Sequence, residues 1–170
     1  MKKLISISII VTSLFLGCNS QPNNKETTTD VSKETTAEVS KDIVKPTLLT
    51  KQMFLDEIMD YESNPSEWIY KGELPGLVDF YADWCRPCRI TSPILEDLAQ
   101  EYEGKIKIYK VDVQREQELA SVFGIQSIPA FLFIPKDDKP VMSAGIAQTP
   151  EQTKEMFRKQ IDEILLNKTN

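Results

Sequence analysis

The chain has 170 residues, of which 41% are hydrophobic, and a formal net charge of -6. That length allows one ordinary domain with a remainder, and an acidic chain without a basic patch interleaved with aromatics excludes nucleic acid as the main partner. Histidine is absent, which removes the commonest metal ligand, the Ser-His and Cys-His nucleophile pairs, and haem attachment at a Cys-x-x-Cys-His site.

Residues 1–17 read as an export signal. Lys2 and Lys3 form a charged start, and Leu4 to Leu16 is an apolar stretch too short to span a bilayer comfortably. It ends in Leu14-Phe15-Leu16-Gly17-Cys18, which resembles a bacterial lipoprotein signal. In that class cleavage precedes the cysteine, whose thiol and new amino terminus carry lipid. Phe15 and Leu16 are bulkier than the usual residues before the cut. A plain signal peptide with an incidental cysteine, or an uncleaved anchor, is the alternative. Residues 18–46 are expected to be the lipidated Cys18 and a disordered tether, because 19–46 contain no aromatic and are rich in Thr, Ser, Asn, Lys and Glu. Such a segment reaches roughly 30 Å as a flexible coil. A spacer of no specific purpose is the plainer reading. Several acyl chains on Cys18 would hold the protein firmly at a membrane.

Residues 47–170 are expected to fold. Leu48 to Tyr61 places Met53, Phe54, Ile58 and Met59 near helical spacing, and Asn64-Pro65 breaks the run. Trp68 to Tyr70 is either a short strand or a packed loop. Gly76 to Tyr81 reads as a buried strand. A helix is expected from near Cys85 to Tyr102, kinked by Pro93 and stopped at Gly104. Ile106 to Asp112 reads as a strand, Glu116 to Phe123 as a short helix closed by Gly124, and Ala130 to Ile134 and Val141 to Ala144 as paired strands. The last helix has Thr149 as N-cap, Pro150 at its first position and Gln152 completing a capping box. Its Phe157, Ile161, Ile164 and Leu165 share one face. The fold class is therefore α/β, a mixed central sheet flanked by helices on both faces.

The chemistry concentrates in Trp84-Cys85-Arg86-Pro87-Cys88. A Cys-x-x-Cys pair at a helix N-terminus meets unpaired N–H groups and a favourable dipole, which together promote a thiolate on the first cysteine. Cys85 is then the exposed attacking thiol, and Cys88, one turn in, the buried resolving one. Zinc at the pair would need two further ligands, from Asp, Glu or a second chain; no metal and no cofactor are expected.

Leu77-Val78-Asp79-Phe80-Tyr81-Ala82-Asp83-Trp84-Cys85-Arg86-Pro87-Cys88 closely resembles the active-site strand and turn of thioredoxins. Phe123-Gly124-Ile125-Gln126-Ser127-Ile128-Pro129-Ala130 is similar to the family's second hallmark, the segment ending in a cis-proline. Pro129 lies 41 positions after Cys88, leaving no room for the helical insertion of disulfide-forming periplasmic oxidases. The resemblance covers roughly residues 50–166 and implies the thioredoxin fold and thiol–disulfide exchange with protein substrates. By position, it implies that Asp79 is a buried acid with a raised pKa that moves the proton of Cys88. It implies that Lys110 lies near and tunes that acid. It implies that Pro129 follows a cis bond beside the dithiol, and that the Ile128 backbone pairs with substrate while Trp84, Gly145 and Ile146 complete an apolar docking surface. The plainer alternatives are a partly solvated Asp79, an outward Lys110, a trans Pro129, a Trp84 that only packs, and a neutral surface Arg86.

Arg86 departs from the family, which usually has Gly there, while Pro87 and Ile128 resemble reducing thioredoxins. A cation beside Cys85 favours its thiolate, stabilises the reduced form and makes the dithiol more oxidising. The expected protein is thus an exported, membrane-anchored lipoprotein facing the periplasm or another extracytoplasmic space. It is expected to act as a monomeric protein-disulfide reductase or isomerase fed by a membrane or soluble electron donor. Net oxidation, or a binding module with a static disulfide, is the alternative.

Overall fold

A computed structural model describes residues 43–168. The expected export signal, Cys18 and residues 19–42 of the expected tether lie outside the described residues. The elements are β1 (Thr47–Leu48), α1 (Lys51–Met53, continued by a π-helical turn Phe54–Ile58), β2 (Gly76–Tyr81), α2 (Arg86–Glu101), β3 (Lys107–Asp112) and α3 (Gln117–Val122). After them come β4 (Ala130–Ile134), β5 (Val141–Ala144) and α4 (Pro150–Gln160, continued by a π-helical turn Ile161–Leu165).

The sheet order is β1-β3-β2-β4-β5. β2 and β1 each run parallel to β3, while β4 is antiparallel to both β2 and β5. Consecutive side chains of β2 point to opposite faces, and its residues pack accordingly. Leu77 joins Leu95, Leu98, Phe131 and Phe157 beneath α2 and α4, whereas Val78 and Phe80 join Phe54, Ile58 and Leu119 beneath α1 and α3. Both faces of the strand are covered, so its sequence is a continuous apolar run rather than an alternation. Asp79 interrupts that run and is fully buried.

β4 and β5 fall on the expected residues. The helix expected from near Cys85 to Tyr102 spans Arg86–Glu101 with Pro93 inside it, and Thr149 Oγ1 accepts from the Gln152 amide at 3.2 Å, as an N-cap should. Gly104 and Gly124, the expected helix stops, have φ of 72° and 61°.

Two expectations fail. The first helix ends at Ile58 and not at Tyr61, because Met59 is extended there and Tyr61 instead packs its ring 6.1 Å from Phe54. A strand before it, β1, went unanticipated; its two residues are exposed and exist as a strand through pairing with Tyr109 and Lys110. Trp68 to Tyr70 is a packed loop, with Trp68 edge-on to Phe123.

Candidate active site

The chain leaves β2 at Tyr81, turns through Ala82, Asp83 and Trp84, and enters α2 with Cys85 as its N-cap. Cys85 and Cys88 are joined by a disulfide. The Cys88 amide donates to Cys85 Sγ at 3.2 Å. A backbone N–H of the first helical turn is therefore aimed at the sulfur expected to carry negative charge. Pro87 occupies the first turn, where a missing N–H leaves no bond unmade.

Exposure does not separate the two cysteines as expected. Cys85 is 3% exposed and Cys88 1%, because both pack with Ala82 against Tyr81, Val113 and Ile128. What distinguishes them is position. Cys85 is flanked by the exposed Trp84 and Arg86, while Cys88 lies inside the helix.

The Ile128–Pro129 peptide is cis, and Ile128 packs against the disulfide cluster. The Pro129 carbonyl accepts from the Gly145 amide at 3.1 Å, which draws the end of β5 to the same place. A shallow groove of about 280 Å³ beside the disulfide is lined by Trp84, Val113, Ile125, Gln126, Ser127 and Ile128. Its walls carry no formal charge, and Trp84 stands 65% exposed at its rim.

Asp79 lies on the face of β2 covered by α2, between Lys110 of β3 and Phe131 of β4. Among the described residues neither of its carboxylate oxygens finds a hydrogen-bond partner. Desolvation pushes its pKa from the ordinary 3.8 up to about 7, against the smaller opposing pull of Lys110. Lys110 does not bond the acid. Its Nζ donates to Ser92 Oγ at 2.8 Å and sits 4.3 Å from the centre of the Tyr81 ring.

The family model for thioredoxin matches residues 57–163. The chain belongs to the thioredoxin family. It is 47% identical over 100 residues to a thioredoxin of Borreliella burgdorferi, a match covering 59% of this chain and 85% of that protein. It is 37% identical over 97 residues to thioredoxin 1 of a Nostoc species, covering 57% and 80% of the two chains. A thioredoxin of Rickettsia bellii is 37% identical over 82 residues, covering 48% and 78%. Membership and the paired cysteines make the chain a thiol–disulfide oxidoreductase, an enzyme of the protein-disulfide reductase class acting on protein disulfides.

Of the residues singled out by sequence, the fold brings Cys85, Cys88, Trp84, Ile128 and Pro129 to one surface, with Gly145 against Pro129. Ile146 is half-buried next in the chain. Val113 went unnoticed, since it follows β3 with no motif of its own. Gln126 and Ser127 were legible only as part of the hallmark segment. Ser92 carried no signal, because a helical serine gives no hint of a partner 18 residues on.

Proposed function

We propose that this thioredoxin works outside the cytoplasm, tethered to a membrane through Cys18, as a reductase or isomerase of protein disulfides. The observation that carries the exchange chemistry is Cys85 at the N-cap of α2, packed against Ile128, which lines an uncharged groove. An extended substrate segment lies along that groove and pairs with the Ile128 backbone. The Cys85 thiolate attacks one substrate sulfur, and the other leaves as thiolate. Cys88 gives its proton to the Asp79 carboxylate and attacks Cys85, forming the intramolecular disulfide and releasing the substrate as a dithiol. Regeneration needs two electrons from a donor that reaches the extracytoplasmic side, and the protein acts as a monomer. Trp84, Gly145 and Ile146 extend the docking surface. Pro129 shapes it, and Lys110 tunes Asp79. Export rests on the charged start and apolar run of residues 2–16 and on Cys18 at their end.

The test is the redox state of the pair in cells, read with a membrane-impermeant maleimide applied before lysis. A largely reduced pair, with Cys85 labelled, is expected. A largely oxidised pair would replace the reductase reading with a net oxidase. Inaccessibility to the reagent until lysis, after chemical reduction, would remove export.

Arg86 favours the oxidase alternative, since it is exposed at the first position of α2 beside Cys85. Its effect is limited by solvent screening. The wild-type couple is expected to be about 10–20 mV more oxidising than that of Arg86→Gly, measured against glutathione. Equal potentials would show that Arg86 plays no part in direction.

A further inference from the structure

The arrangement around Lys110 has an unexpected member. Lys110 and Asp79 are register partners on adjacent parallel strands, and neighbouring strands lie about 4.8 Å apart. Their side chains share the face covered by α2, as those of Ile108 and Leu77 do. A lysine stem is long enough to bring its ammonium onto the neighbouring carboxylate. A buried carboxylate without a partner is a strong acceptor for it. Yet the ammonium is elsewhere, on Ser92 Oγ and over the Tyr81 ring.

We propose that Ser92 is a positioning residue: its hydroxyl holds the Lys110 ammonium on α2 and off the Asp79 carboxylate. This rests on the reading of Asp79 as the acid that serves exchange. A direct ion pair would keep the carboxyl ionised well below neutral pH, and the carboxylate would then be too weak a base to take the proton of Cys88 near pH 7. Ser92 preserves the titration in the useful range while Lys110 stays close enough to act at a distance. The other groups facing this cluster are few. β2 supplies Tyr81, β3 supplies Asp112 beyond Lys110, and Asp83, Arg115 and Glu116 come from the loops that follow these strands, Glu116 already accepting from the Lys51 amide. β4 presents the uncharged Phe131, and α2 carries Arg89 and Glu96, both exposed, within a turn on either side of Ser92. None of these offers Lys110 an acceptor as desolvated as Asp79.

The experiment is a carbon-13 NMR titration of the Asp79 carboxyl in the full-length disulfide form, with the resonance identified by its loss in Asp79→Asn. Ser92→Ala frees the ammonium to pair with the acid, and the Asp79 midpoint is expected to fall by about one pH unit. Ser92→Thr keeps a hydroxyl and is expected to titrate like the wild type. In a Lys110→Met background Ser92→Ala is expected to shift nothing, since the serine acts through the lysine. Alanine suits a helix better than serine, so the fold is retained. An unchanged or raised midpoint in Ser92→Ala overturns the proposal, as does an equal fall without Lys110. The titration needs no turnover, so its failure leaves the exchange function untouched, and a failure of exchange leaves this result readable.

Discussion

Cys88→Ser is expected to turn the chain into a trap that accumulates a covalent mixed disulfide between Cys85 and its protein substrates. The attack by Cys88 on that intermediate is intramolecular, from one helical turn away, and oriented pairs of this kind reach effective molarities of about 10⁵ M or more. Serine cannot perform it, so release waits for an external thiol. Insulin-disulfide reduction with a chemical electron supply is expected to fall by about 10³-fold or more. The complementary Cys85→Ser variant is expected to lose reduction equally and to trap nothing. Its remaining thiol lies within the helix and has no first-turn amide aimed at it in the way that the Cys88 amide meets Cys85 Sγ. The two variants therefore fail differently, and the difference assigns attack to one sulfur and resolution to the other. Non-reducing gels followed by mass spectrometry of the linked peptides provide the readout. An adduct on Cys88, or none on either variant, would sink the division of labour.

Sequence carried far where chemistry is local. The turn from β2 into α2, a helix beginning near Cys85 and the proline of the Ile128–Pro129 bond are each written in a few adjacent residues, and the fold has them as expected. Legibility failed where a residue's state depends on something distant. β1 is two exposed residues with no pattern, and it is a strand through its pairing with β3 alone. The first helix seemed to continue because Met59 is buried and Tyr61 packs on Phe54. Burial by a loop mimics the apolar spacing of another helical turn. The near-complete burial of Cys85 follows from Val113 and Ile128 closing over it, and both arrive from other parts of the chain. Lys110 is the register partner of Asp79, but its bond to Ser92 crosses from β3 to α2 and leaves no trace in either periodicity.

Asp79→Ala is expected to make the protein more stable and a poorer enzyme, with the stability gain appearing only as pH rises. The folded-state pKa is raised to about 7 from 3.8, so between those values the unfolded chain is ionised while the native acid stays protonated. The native state then binds the extra proton, and stability falls with increasing pH across this window. It is fully present below about pH 4 and has been lost by the time pH passes about 7. At roughly 1.4 kcal/mol per pH unit, ionising the buried carboxyl destabilises the fold by about 4 kcal/mol at alkaline pH. Alanine removes that liability and leaves a small cavity, so a net gain of about 2–4 kcal/mol is expected at pH 8 and none at pH 4. Urea midpoints at the two pH values measure it, and a gain independent of pH would contradict the burial argument. Activity moves the other way. Without a carboxylate to take its proton, Cys88 attacks the mixed disulfide more slowly, on the order of 10²-fold near pH 7. The loss should shrink at higher pH, where the thiol ionises unaided. Asp79 thus lowers the stability of the strand it interrupts, a cost that the proposed mechanism sets against the proton it can move.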